Sequence, residues 1–205
     1  VPREGNREHE EAEPAVSDIV LRDATAADLA DVLALNQAHR PRVGALAPAG
    51  LRQLRERAIR FRLAEAVGAL AGFLIALDPS AERGSPNFLW FKARYGRFAY
   101  IDRVAVVAER RRHGVGRRLY EDLERFAGAR GFDLLAREHN LRPPNDDSAR
   151  FHGRLGFAEV GGQDTERGQK TVSLQIEALR GSRSPITTPA FPGGDSPPVA
   201  PSAKR

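Results

Sequence analysis

Residues 110–118 read RRRHGVGRR, five arginines and one histidine packed around Gly114 and Gly116. The composition suits the holding of phosphate. Backbone N–H groups at the start of a helix point outward at its positive end, and glycine lets an anion approach them closely. Arginines beside such a turn add charge-assisted hydrogen bonds. The expected cradle runs through Arg111, Arg112, His113, Gly114, Val115, Gly116 and Arg117. Two common phosphate loops do not fit. GxxxxGK[ST] needs a Gly-Lys-Ser/Thr run that the chain lacks, and GxGxxG needs a glycine where Leu119 stands.

Three further positions carry titratable groups in settings that suit chemistry. Asp102 interrupts an apolar run, where a carboxylate is costly unless it is paired or used. It is read either as a general base, made more basic by burial, or as half of a structural ion pair with an arginine on another element. Arg103 is expected on the opposite strand face, and Asp102, Val104 and Val106 on one face. Glu138, followed by His139 and Asn140, is the rival base; it would otherwise bind a cationic acceptor or end a strand. His139 is expected to face solvent. Asn145, Ser148 and His152 are spaced i, i+3, i+7, which sets them on one side of a helix beside Phe151 and Leu155.

These residues must be positioned by regular elements, and the apolar period switches repeatedly between strand and helix values over residues 18–180. IVLRD is a strand. TAADLADVLALNQAHR is a helix with Thr25 as its N-cap and Asp28 three residues on. PAGLRQLRERA is a second helix, and IRFRLAEAV and ALAGFLIALD form a hairpin about Gly68. After a loop, RFAYIDRVAVV is the clearest strand, ending at Val107. A helix begins near Gly114 with Val115, Leu119, Leu123 and Phe126 on one side. FDLLAREHN is a strand, NDDSARFHGRL a helix capped by Asn145, and FAEVG and KTVSLQIEAL are the last strands. The order is β-α-α-β-β-β-α-β-α-β-β, an α/β domain on a mixed sheet.

The chain has 205 residues and 41% hydrophobic content, enough for one domain with appendages. Residues 1–17 are an acidic tail and residues 181–205 a Pro/Ser-rich tail; neither can bury enough apolar surface to order itself, so both are expected to be disordered. Removing net charges of −3 and +2 for these tails from the chain's +5 leaves +6 on residues 18–180. The excess favours an anionic ligand. The absence of cysteine excludes disulfides, thiolate metal sites and cysteine nucleophiles, and fits a reducing, cytoplasmic setting. No apolar run is long enough for a membrane span or a secretory signal, so no membrane partner is expected.

Arg111, Gly114 and Gly116 form Arg-x-x-Gly-x-Gly after a strand and before a helix. With N…S…FHGRLGF downstream, the pattern resembles the GNAT superfamily of acyl-CoA-dependent N-acetyltransferases, over roughly residues 18–180. IDRVAVV, LYEDL, EHNLRPPN and FHGRLGF look like a bacterial branch of predicted acetyltransferases. The resemblance implies a GNAT-like, mostly antiparallel mixed sheet, a loop binding the pyrophosphate of acetyl-CoA, and transfer of acetyl to a primary amine in a ternary complex. No metal is implied, and a homodimer is compatible with the family.

In the resemblance, the backbone of Val104 and Val106 binds the pantetheine arm where the strand bulges and splays, and Asn145 and Ser148 approach the same arm. Asp102 falls where the histone-acetylating branch carries its general-base glutamate. His152 stands where the family often has a tyrosine that protonates the leaving sulfur. Imidazolium, with a reference pKa of about 6.5, could protonate a thiolate whose acid has about 8.5. Trp90, Phe91, Tyr95 and Tyr100, with Asn36 and His39, border the acceptor groove in this fold. Two other functions remain open at this point: an acyl-CoA sensor without catalysis, and nucleic-acid binding through the arginines. The latter is disfavoured because the arginines cluster at one helix start without interleaved aromatics.

Overall fold

A computed structural model describes residues 18–40, 43–165 and 169–180. The tails expected at 1–17 and 181–205 lie outside the described residues. Seven strands form one sheet: β1 (Ile19–Asp23), β2 (Arg60–Ala66), β3 (Ala69–Leu77), β4 (Phe98–Val106), β5 (Leu134–Arg142), β6 (Ala158–Thr165) and β7 (Lys170–Ala178). Their spatial order is β1-β2-β3-β4-β5-β7-β6, and every neighbouring pair is antiparallel except β4 with β5. Helices α1 (Leu29–Ala38), α2 (Pro48–Arg57), α3 (Pro86–Lys92), α4 (Val115–Ala129) and α5 (Asp146–Arg154) cover the sheet. The mixed, mostly antiparallel sheet and the expected order of elements are present, with α3 added between β3 and β4.

Both sheet faces are covered, so the central strand β3 is buried without a break from Ala71 to Leu77. On one face, Phe61, Phe73 and Ile75 pack with residues of α1, α2 and α3. On the other, Leu74, Ala99 and Ile101 pack with Leu119, Tyr120 and Leu123 of α4, and with Phe151 of α5. The α4 stripe follows from apolar residues four apart on a helix that is otherwise charged. Burying each such Leu contributes about 1.5–3 kcal/mol.

Two local expectations change, and the expected hairpin gains a turn type. The N-cap of α1 is Asp28, one turn beyond Thr25; the Asp28 carboxylate reaches back to accept the Thr25 N–H and hydroxyl, both at 2.7 Å. The β2–β3 turn places Val67 at φ 53° and Gly68 at φ 71°, the two positive angles of a type I′ hairpin. The sequence pattern predicts a loop over residues 86–92. They form α3, opened by Pro86 and pinned by Phe88 and Phe91 in an aromatic cluster with Phe98 and Tyr100. Trp90 and Tyr95 flank that cluster as packing residues.

Candidate active site

The site begins where two strands part. β4 and β5 pair over only Phe98↔Leu134, Ala99↔Leu135 and Tyr100↔Ala136, then diverge. On its other side β4 stays paired with β3 up to Val106, and the Val107 N–H donates to the Ala71 carbonyl at 2.9 Å. Amides alternate direction along a strand, so the backbone groups of Val104 and Val106 turn to the open edge facing β5. The cleft thus has an unpaired strand edge as one wall. His39, at the end of α1, closes over part of it: its Nε2 lies 2.8 Å from the Val106 carbonyl and 2.7 Å from Arg111 Nη2.

The RRRHGVGRR stretch lies just beyond this edge. A 3₁₀ turn, Ala108–Arg110, follows β4, and Arg112 and Gly114 both take positive φ, 66° and 84°. Gly114 is the N-cap of α4 and makes no side-chain cap, and the Arg118 N–H is bonded to the Gly114 carbonyl. The amides of Val115, Gly116 and Arg117 are therefore the orphan donors of the helix start. Val115 contributes only its amide, because its side chain is buried beneath the sheet. Gly116 serves packing as well as access: a Cβ there would stand 3.0 Å from the Phe151 ring. The Arg117 Nε is held by Glu121 at 2.7 Å. An anionic pyrophosphate fits this turn, which offers amides, a helix start and guanidinium groups in one place.

Asp102 and Glu138 meet at the inner end of the cleft. Here two expectations are corrected. The register between β3 and β4 slips between Ile75 and Ala76, a bulge that puts Ile101 opposite Ala76 and Arg103 opposite Ile75. Asp102 therefore does not share a face with Val104 and Val106; it turns into the same cavity as Tyr100, Arg103 and Glu138. Arg103 does not point away, and its Nε lies 3.3 Å from Asp102 Oδ2, while the Arg83 Nε donates to Asp102 Oδ1 at 2.7 Å. The Asp102 side chain is only 1% exposed between these guanidinium groups. Asp102 thus makes the ion pair with an arginine on another element that was one of its two alternatives.

Arg103 extends the anchor to the α1–α2 connection. It donates to Asn36 Oδ1 at 2.9 Å and to the Gly44 carbonyl at 2.7 Å. Burial depresses its pKa, and the charge of Asp102 opposes that fall. Asn36 is fully buried in this clamp and does not border a groove.

Glu138 stands two residues beyond the last β4–β5 pair, with Tyr100 donating its hydroxyl to Oε2 at 2.7 Å. Burial raises the Glu138 pKa above the ordinary glutamate value; hydrogen bonds from Tyr100 and Asn87 oppose the rise, and the Asp102 charge adds to it. Burial likewise raises Tyr100 well above 10, which keeps it a hydrogen-bond donor. Asn87, on the helix missed in the sequence, is oriented by accepting from Gln163 Nε2 at 3.1 Å. The cavity has a volume of about 310 Å³.

His152 is placed differently from its expected role. It is 3% exposed, with Nδ1 donating to the Ser148 carbonyl at 2.6 Å and Nε2 receiving the Tyr120 hydroxyl at 2.6 Å. Burial, reinforced by the charge of Arg137, pushes its pKa down to about 2. Buried, with both ring nitrogens engaged inside the core, His152 is not placed as the imidazolium that the acid role expects. Tyr120 is itself fully buried and pushed up to about 12 by burial.

The expected face of Asn145, Ser148 and His152 does form, and each of its residues also makes contacts within the fold. Asn145 caps α5 by accepting the Ser148 N–H at 3.4 Å. The Ser148 hydroxyl contacts Arg137 Nη2 at 3.1 Å and His152 at 3.2 Å. Arg137 is buried and also donates to the Glu138 carbonyl and to Gln175. His139 is buried, not solvent-facing, and burial lowers its pKa.

The chain belongs to the Acetyltransferase (GNAT) family, whose profile matches residues 33–157. It is an acetyltransferase, and acetyl-CoA is the co-substrate of the family. Comparison with curated proteins gives no match. Among solved structures it is similar to NAA60 from Arabidopsis thaliana in complex with a bisubstrate analogue, at 18% identity and TM-score 0.64, over 80% of this chain and 99% of that one. The ribosomal-protein-S18-alanine N-acetyltransferase from Escherichia coli aligns at 19% identity and TM-score 0.59, over 78% and 94%. The protein yncA from Salmonella typhimurium, solved with its cofactor acetyl-CoA, aligns at 19% identity and TM-score 0.61, over 82% and 98%. Among the described residues no helix is long and apolar enough to cross a membrane, and no cluster of three metal-ligating side chains occurs.

Proposed function

We propose that the protein transfers the acetyl group of acetyl-CoA to a primary amine by direct attack in a ternary complex, with Glu138 as the proton acceptor. The observation that carries this reading is the parting of β4 from β5 after Tyr100 and Ala136, with a glycine-arginine turn at its outer end and a half-buried carboxyl at its inner end. The amides of Val115, Gly116 and Arg117, with Arg111 and Arg112, hold the pyrophosphate, and His113 lies in the same turn. The open edge at Val104 and Val106 receives the pantetheine arm, and α5 lies alongside through Asn145 and Ser148. The bound co-substrate supplies a thioester whose carbonyl is open to an amine.

Glu138 performs the proton work. A raised carboxyl pKa brings the base nearer to the operating pH, which favours general-base catalysis. Tyr100 and Asn87 fix its orientation, so the acceptor nitrogen meets one defined oxygen. No side chain is assigned as the acid. A thiol with a reference pKa of about 8.5 leaves readily as an anion and takes its proton from water.

The test combines binding with turnover. Calorimetry should show acetyl-CoA binding to the native protein, and a broad amine panel should release free thiol. Gly114→Arg should lower acetyl-CoA affinity by more than about 100-fold while circular dichroism shows a folded chain. Unchanged affinity in that variant would remove the pyrophosphate from this turn and overturn the reading.

A further inference from the structure

Among its described lining residues the cavity beside Glu138 carries more positive than negative charge, and two of its cations keep donors that no described residue takes up. Arg83, Arg103 and Lys170 line it, against Asp102 and Glu138. Asp102 is already shared between two guanidinium groups, and Arg103 spends its remaining donors on Asn36 and the Gly44 and Ala45 carbonyls. Arg83 uses only its Nε, at 2.7 Å from Asp102, so its two terminal NH₂ groups have no partner among the described residues. Its side chain is 32% exposed. Lys170, at the start of β7, likewise has no side-chain partner among the described residues.

A plain cationic amine entering this space would meet a surplus of its own sign. An amine that also carries an anion would not. We infer that the acceptor is a small molecule bearing a carboxylate or phosphate near its amine, with the anion held by Arg83 and Lys170 and the nitrogen delivered to Glu138. A guanidinium with two free NH₂ groups matches the paired oxygens of either anion, and Lys170 adds a point charge. The volume of about 310 Å³ lies at the small end of ligand pockets, the size of an amino-acid-like molecule. The same arrangement selects against polyamines and against lysine- or arginine-rich segments, because buried like charge discriminates strongly. The inference rests on the reading of this cleft as the place of amine acetylation.

Matched acceptors that differ only in the anion provide the test. Rates of thiol release are compared for alanine against alaninamide and for phosphoethanolamine against ethanolamine, with spermidine and a basic peptide amine alongside. Charge-assisted hydrogen bonds of the usual strength correspond to about 10- to 100-fold in kcat/KM, so the charged member of at least one pair should lead by that factor. Which pair shows the gap tells carboxylate from phosphate.

Arg83→Gln should erase most of the gap, Arg83→Lys should restore part of it, and Lys170→Gln should reduce it. None of these should change acetyl-CoA affinity, since neither residue touches the Gly114 turn. Melting curves identify a variant that fails to fold, and Lys170→Gln provides an independent reading if Arg83→Gln does so. Equal rates within both pairs, a preference for the neutral or cationic acceptors, or a gap untouched by both Arg83→Gln and Lys170→Gln would overturn the inference. If every amine is inert, calorimetry on the CoA-saturated protein decides: no heat with alanine or phosphoethanolamine overturns it equally. Failure of acetyl-CoA itself to bind would instead strike the acetyltransferase reading of the cleft.

Discussion

At the scale of single residues, two carboxylates looked interchangeable and the fold separates them. Asp102 is locked between Arg83 and Arg103, whereas Glu138 is oriented by a tyrosine and an amide with its pKa raised by burial. Glu138→Gln should therefore lower kcat by about 10²- to 10⁴-fold and leave the calorimetric affinity for acetyl-CoA within about twofold. A loss of less than about fivefold would return the base to another group. The sequence could nominate both residues but not choose, because the decisive partners, Arg83 and Asn87, stand far from them in the chain and the β4 bulge has no side-chain signature.

His152 shows the opposite failure: the spacing set it on the correct helix face, but that face is turned into the core. Its pKa of about 2 in the folded chain, against 6.5 ordinarily, has a thermodynamic consequence. Folding holds the ring neutral, so its contribution is complete above pH 6.5. That contribution is lost on acidification toward pH 2, by up to about 1.4 kcal/mol per pH unit. Glu177, pushed up to about 7 by burial and by Glu124, acts with the other sign: its contribution is present below 4.5 and lost as pH rises to 7. The histidine share is read by difference. Urea melts of the native chain and His152→Gln between pH 4 and 7 should converge toward the acid end, and kcat of the variant should stay within about threefold. Parallel stability curves, or a hundredfold drop in kcat, would contradict the core assignment.

At the scale of elements, the long strands and α4 were legible because their apolar periods are strong, and the hairpin because Gly68 marks its turn. Helix α3 was not. It spans seven residues, and its aromatic side chains resemble a strand run as much as a helix face. Only the cluster with Phe98 and Tyr100 makes it a helix, and that contact is invisible before folding. The hairpin carries a cost of its own. Val67 holds φ 53°, a region that β-branched residues avoid, and its side chain is 72% exposed with nothing to gain by the strain. Val67→Asn should stabilise the chain by about 1 kcal/mol, since Asn-Gly is the favoured pair for this turn. A melting temperature unchanged or lowered in Val67→Asn would mean that the turn relaxes in solution.

At the scale of the whole molecule, the charge surplus predicted for residues 18–180 resolves into local tasks. Part surrounds the Gly114 turn, part clamps the α1–α2 connection to β4, and part remains in the cavity beside Glu138. The opening between β4 and β5 also leaves the sheet joined at its centre by only three residue pairs. Each side has its own strands, with β1 to β4 in one set and β5 to β7 in the other, and the chain passes between them once, through α4 and the turn at Gly131. The molecule is therefore built to be divisible. Severed at that turn, the two pieces should reassociate when mixed and recover acetyl-CoA binding, whereas a cut within β7 should leave fragments that cannot find each other.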